Sequence, residues 1–228
     1  MSDDKQIFLQ VLRELDAGGV LQQVVLIGSW TLPVYRLYFD NDPTIPLLRT
    51  TDVDFLIGMP PRISVEFDVP IVLSRLGFQE LWAPTAGYCK YVHPAIEVEF
   101  LIPELGRGVD AAVRIEELRV FAQPLRYLQL AYDHSMVILY EGTNVRVPRP
   151  EAFVLLKLLV LPRRQNSAKA AKDSRTVRAL SQLILQDRTE RLRLVQLFET
   201  LRPGWQKTIT RSALKHVPDM APFLNSRE

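Results

Sequence analysis

The apolar positions of this chain change period along its length. Ile7, Leu9, Val11, Leu12 and Leu15 give residues 4–17 a helical spacing, which Gly18-Gly19 ends. Val24-Val25-Leu26-Ile27 is a short unbroken apolar run rich in β-branched side chains and stopped at Gly28, the pattern of a buried strand. Residues 30–39 then suit a helix with Pro33 in its first turn, and Asn41-Asp42-Pro43 with Pro46 predicts an irregular connection over 40–47. Asp52–Ile57 reads as the next strand, ended by Gly58-Met59-Pro60-Pro61. Residues 65–76 are expected to be helical despite Pro70, and Trp82 and Tyr88–Val92 fall in two further strands. Over Ile96–Ile102 the chain alternates, with Ile96, Val98 and Phe100 on one side and Glu97 and Glu99 on the other. A helix over 125–132 follows, then two short strands within 136–147 around the turn signal Glu141-Gly142-Thr143-Asn144.

After Pro148-Arg149-Pro150 the period becomes helical almost throughout, with breaks at Pro162–Ser167 and near Asp187, and Pro203-Gly204 introduces a last helix to about His216. The order predicts an α/β (α+β) domain over residues 1–147 and a helical C-terminal domain over 148–228.

Hydrophobic residues at 47% and charged residues at 24% suffice for a sizeable core, and a net charge of +2 gives no global field directed at nucleic acid or a membrane. The charge is uneven, however. Residues 162–178 hold Arg163, Arg164, Lys169, Lys172, Arg175 and Arg178 against the single acid Asp173. Such a run is most often a solvated face; as a working surface it suits a polyanion such as RNA. Cys89 is the sole cysteine, which rules out an intramolecular disulfide and fits a reducing compartment. The N-terminal Met-Ser-Asp-Asp-Lys lacks the basic and apolar regions of a secretory signal. The longest apolar run, Phe153–Leu161, is broken by Lys157 and falls well short of the roughly 20 residues of a spanning helix. A cytoplasmic protein without a membrane segment is expected.

The chemistry gathers on carboxylates. Asp52 and Asp54, one residue apart on a strand, point to the same face about 7 Å apart and repel unless a cation sits between them. An isolated Asp-x-Asp is more often a solvated pair at a turn, but here the context is not isolated. Gly28-Ser29 ends an earlier strand, where glycine admits a close approach and Ser29 with nearby amides can hold phosphate oxygens. Glu97 and Glu99 share one face of a third strand. Together these offer a phosphate-contacting turn and three or four hard oxygen donors, enough for two divalent ions about 3.5–4 Å apart to clamp a triphosphate.

These strings, "LIGSW", "RTTDVDFLI" and "IEVEFLIP", resemble the signature of the DNA polymerase β-like nucleotidyltransferase superfamily: a Gly-Ser turn, Asp-x-Asp on the next strand and a third acid on a later one. Within it the chain looks similar to bacterial nucleotidyltransferase-like proteins near the abortive-infection AbiEii toxins, through Arg49, Thr51, Asp52 and Asp54. The helical block "PRPEAFVLLKLLVLPRR" with "KAAKDSRTVRAL" resembles the family's second block, where Lys157, Lys172 or Lys169, and Asp173 match nucleotide-facing positions. The resemblance implies a nucleotidyltransferase-type mixed sheet flanked by helices and transfer of NMP from an NTP to a hydroxyl or phosphate acceptor. It assigns Asp52, Asp54 and Glu99 to Mg2+ (or Mn2+), as two ions, with Glu99 also the general base. Gly28, Ser29, Arg49 and Thr51 fall to the nucleotide, and Lys157, Lys172 and Asp173 to the triphosphate or acceptor. RNA and protein are the macromolecular acceptors left open, and an antitoxin is the partner a toxin role implies. The departures are a glutamate as third acid, Glu97 as its rival on the same face, and Trp30 where smaller residues are common.

Bland readings stand beside these. Lys157 interrupts a leucine-rich helix, as a snorkelling lysine does, and Lys169 with Asp173 has the spacing of an ordinary surface pair. His93, His134 and His216 have no metal-ligand spacing, and no phosphate-loop, dinucleotide or nucleophile-elbow motif occurs. Trp82, Trp205 and Phe198 are expected in the core. Two other functional classes remain: a catalytically silent member of the fold that binds nucleotide or a partner, and an RNA-binding module acting through the 162–178 basic run.

Overall fold

The computed structural model describes residues 2–47, 50–82, 87–104, 106 and 111–224. The chain forms two compact units, one of residues 1–34 and 49–148, the other of residues 35–48 and 149–228. Among the described residues no helix is long and apolar enough to cross a membrane.

In the first unit α1 (Asp3–Ala17) leads to β1 (Val24–Ile27), a 3-10 turn over Gly28–Trp30, and α2 (Thr31–Tyr38), which runs on into the second unit. Then come β2 (Asp52–Ile57), α3 (Val69–Arg75), β3 (Gln79–Trp82), β4 (Cys89–Val92), β5 (Glu97–Pro103), β6 (Val113–Ile115), β7 (Val120–Leu125), α4 (Leu128–Asp133), β8 (Ser135–Tyr140) and β9 (Thr143–Pro148). Among the described residues seven strands make one mixed sheet, ordered β1-β2-β5-β4-β3, with β7 joining the far part of β5 and β6 pairing β7. The β2–β5 and β5–β7 pairings are parallel and the others antiparallel. β8 and β9 form a separate hairpin whose second strand packs against β1 and α1.

The α/β class expected from the apolar pattern is the one observed, a mixed sheet flanked by helices. Several boundaries move for local reasons. The expected helix over 65–76 begins only at Val69, because Asp68 caps it by accepting from the Ile71 N–H (3.1 Å) with Pro70 in the first turn. The expected helix over 125–132 starts at Leu128, since Leu125 still pairs with Pro103 as the end of β7. β6 and β7 escaped the apolar pattern altogether. Trp82, expected in the core, is 49% exposed and meets Phe121 edge-on, whereas Trp30 is buried and stacks on Phe8 at 4.1 Å.

The second unit contains α5 (Pro150–Val160), α6 (Ser167–Gln186), α7 (Arg188–Thr200), α8 (Pro203–His216) and the short α9 (Ala221–Leu224). α5 is apolar on nearly every side and packs against α6, α7 and α8, as expected of a central helix. Tyr35 meets the ring of Phe153 edge-on at 5.3 Å. Asn166 caps α6 and Asp187 caps α7, which places the breaks where the sequence signals them.

Beneath the acidic end of the sheet, Phe55 on β2 and Phe100 on β5 are both buried and stack at 5.8 Å. Phe55→Ala is expected to cost about 4 kcal/mol and Phe55→Leu about 1 kcal/mol, read from urea midpoints.

Candidate functional site

The acidic face follows from strand geometry. In β2 Val53 and Phe55 are buried while Asp52 and Asp54 are half-buried on the other face, and β5 repeats the pattern with Val98 and Phe100 against Glu97 and Glu99. The parallel register sets Asp52 opposite Glu97 and Asp54 opposite Glu99. Four carboxylates therefore share one face of two neighbouring strands, spaced by roughly 5 Å across and about 7 Å along the sheet.

A single row runs through them across four strands. Ile27 is opposite Asp54, so the turn after β1 begins beside that aspartate. Gly28 has φ +75°, and a Cβ there would lie 2.5 Å from Oδ2 of Asp54. Glycine thus satisfies both the backbone conformation and the close approach. Ser29 follows, half-buried, and Thr31 Oγ1 donates to the Gly28 carbonyl (2.7 Å) where α2 begins. Thr51 precedes the row; its carbonyl accepts from the Glu97 N–H (2.8 Å) and its hydroxyl lies 3.4 Å from Oδ1 of Asp52. Arg49 lies outside the described residues.

At the far end stands Lys90 on β4, a residue the sequence reading did not single out. Its ammonium is ion-paired with Glu99 and lies 3.5 Å from Oε2 of Glu97. Burial draws the Lys90 pKa down, but the hydrogen bond to Glu99 and the charges of Glu99 and Glu97 outweigh it, and the net shift is upward. Only strand register brings Lys90 here; the alternation of Cys89-Lys90-Tyr91-Val92 marks its face but not its neighbours.

Carboxylate oxygens are the hard donors that magnesium or manganese takes, and Asp52 with Asp54 offers them from one face. Among the described residues no three carboxylate, imidazole or thiolate groups converge as a ready-made metal cluster. The donor set fits a cation at the two aspartates. Glu99 is engaged by Lys90 through Oε1.

In the second unit Lys157 and Asp173 do meet. Lys157 Nζ donates to Oδ1 of Asp173 (2.6 Å) and lies over the Phe153 ring, while Arg164 Nε donates to Oδ2 (2.9 Å). Asp173 is buried with its side chain 6% exposed, so it serves two cations inside the unit, and Arg164 is the partner that sequence spacing missed. Lys172 is half-buried one residue before it on α6. Asp173→Ala leaves both cations without this counter-ion and should cost about 3 kcal/mol, whereas the Lys157→Met/Asp173→Leu pair should recover most of the loss in a urea titration.

A nucleotidyltransferase family model matches residues 6–197 of the chain. Among solved structures, an antigenic nucleotidyltransferase-like protein from Paracoccidioides brasiliensis is similar at 17% identity and a TM-score of 0.49, over 99% of this chain and 94% of that one. The antibiotic-resistance factor ANT(2'')-Ia is similar at 14% identity and a TM-score of 0.43, over 85% of this chain and 96% of that one. No curated protein matches. The family match takes in most of the sequence, including Gly28, both aspartates and Glu99 as well as α5 and α6, and the chain belongs to the nucleotidyltransferase family.

Proposed function

We propose that the row Gly28–Asp54–Glu99, with Asp52 beside it, is a metal–nucleotide site that transfers NMP from a nucleoside triphosphate to a hydroxyl or phosphate acceptor. One observation supports this above all: the β1–β2 and β2–β5 registers set the glycine turn, the aspartate pair and the third acid side by side on adjacent strands. Mg2+ (or Mn2+), as two ions, would supply the positive charge that offsets the triphosphate.

The chain's own groups do the rest. Asp52 and Asp54 hold the cation from β2, and Glu99 helps to position it. Gly28 lets the backbone approach, and Ser29 with the amides at the start of α2 takes phosphate oxygens. Thr51 and Arg49 are assigned to the nucleotide, and Lys157 with the Lys172/Asp173 pair, in the second unit, to the triphosphate or the acceptor. With a hydroxyl acceptor, its oxygen bonds to the α-phosphorus and its proton passes to Glu99. The bond from that phosphorus to the bridging oxygen breaks, and pyrophosphate leaves with the electron pair. The string from Arg49 to Asp54 is the sole ground for a place near the AbiEii toxins with an antitoxin partner, and that placement is no part of the proposed chemistry.

Lys90 gives the site a second property. Its ammonium and a divalent cation compete for Glu99, so removing it should favour the metal. Asp54→Ala should lower magnesium-dependent transfer about a thousandfold, roughly 4 kcal/mol, measured with each labelled NTP and total cellular RNA or protein. Full activity in that variant would sink the mechanism, and failure of the wild-type protein to bind Mg2+–NTP would favour a catalytically silent member of the fold. Lys90→Met should tighten Mn2+ binding about tenfold by calorimetry; unchanged affinity would remove Lys90 from the account.

A further inference from the structure

Apart from Lys172, the α6 and α8 helices carry a charge pattern that the nucleotide chemistry does not use. α8 contains no acidic residue, and the one acid of α6, Asp173, is buried against Lys157 and Arg164. Lys207, Arg211 and Lys215 recur every four residues along α8, and all three are exposed, while Ile209, Ser212 and Ala213 are turned into the core. On α6, Lys172, Arg175 and Arg178 recur every three residues, the two arginines exposed. Ser174 and His216 join the helices between these stripes, Ser174 Oγ lying 3.0 Å from Nδ1 of His216. Burial and then the charges of Lys215 and Arg178 depress the His216 pKa. Arg178 follows Ser174 by one turn and Lys215 precedes His216, so the two stripes meet at this junction within the second unit.

We propose that this surface binds the phosphodiester backbone of a polynucleotide, which presents the acceptor end for nucleotidyl transfer. The role as acceptor rests on the function proposed above; the binding itself does not. A repeated row of cations without interleaved acids matches a repeated row of phosphates, and three of the six are arginines whose forked donors suit phosphate oxygens. A membrane surface is disfavoured, because an interfacial helix needs its apolar face outward and α8 buries Ile209 and Ala213.

The test is fluorescence-anisotropy binding of labelled 20-nucleotide poly(U) RNA and poly(dT) to the full chain across a salt series, without NTP. About five phosphate contacts predict a slope of log Kobs against log salt near −3.5. Arg178→Glu with Lys215→Glu should weaken binding more than tenfold and flatten the slope by about 1.4, and Arg178→Gln with Lys215→Gln should flatten it likewise at smaller loss. Arg188→Glu, at an exposed position at the start of α7 and outside these stripes, should change neither by more than its two units of net charge dictate. Tighter binding of poly(U) than of poly(dT) identifies RNA as the source of the backbone, and equal binding leaves the polynucleotide reading intact for both. Polyglutamate binding as tightly as RNA, or equal loss in Arg188→Glu and the double variants, overturns the proposal. Asp54→Ala is measured in parallel: retained RNA binding with lost transfer separates failure of this surface from failure of the metal site.

Discussion

The parallel pairing of β2 with β5 fixes where charge can lie in the first unit. Side chains alternate across a strand, so the register that places Phe55 on Phe100 in the core also places Asp54 beside Glu99 on the open face. A slip of one residue would turn every carboxylate inward and every aromatic outward. Burial of the rings therefore holds the acids in their row, and the antiparallel partner β1 delivers the glycine turn to the same row. The site's precision is inherited from the core beneath it.

The two units balance buried or crowded charge in opposite ways. On the sheet, four carboxylates share one face, and Lys90 meets the two of β5 at its far end. In the helical unit one buried aspartate receives a lysine and an arginine, and Arg175, Arg178, Lys207, Arg211 and Lys215 of α6 and α8 are displayed outward. An acid-rich face and a base-rich face on one chain of net charge +2 suit a reaction whose participants are cations and phosphates.

Much of this was legible in the linear chain, and the reasons are local. Short β-branched runs marked β1 and β2, alternation marked β5, and caps and prolines marked the helices of the second unit. The acids could be assigned to faces because period two needs no knowledge of neighbours. What was not legible depended on distant partners. Lys90 reaches Glu99 only through the β4–β5 pairing, Arg164 reaches Asp173 across a turn whose geometry spacing alone does not give, and β7 becomes a strand by pairing with the far end of β5. Trp82 misled because size and aromaticity predict burial, whereas β3 is an edge strand with all four residues exposed.

The central claim is that the row beginning at Gly28 is where metal and nucleotide meet. Paramagnetic broadening in the isotope-labelled protein, on titration with Mn2+ and a non-hydrolysable NTP, reads that location directly. The account predicts that the amides of Gly28, Asp54 and Glu99 broaden first. First broadening at Glu116 and Glu117, or at the caps of the helical unit, would contradict it.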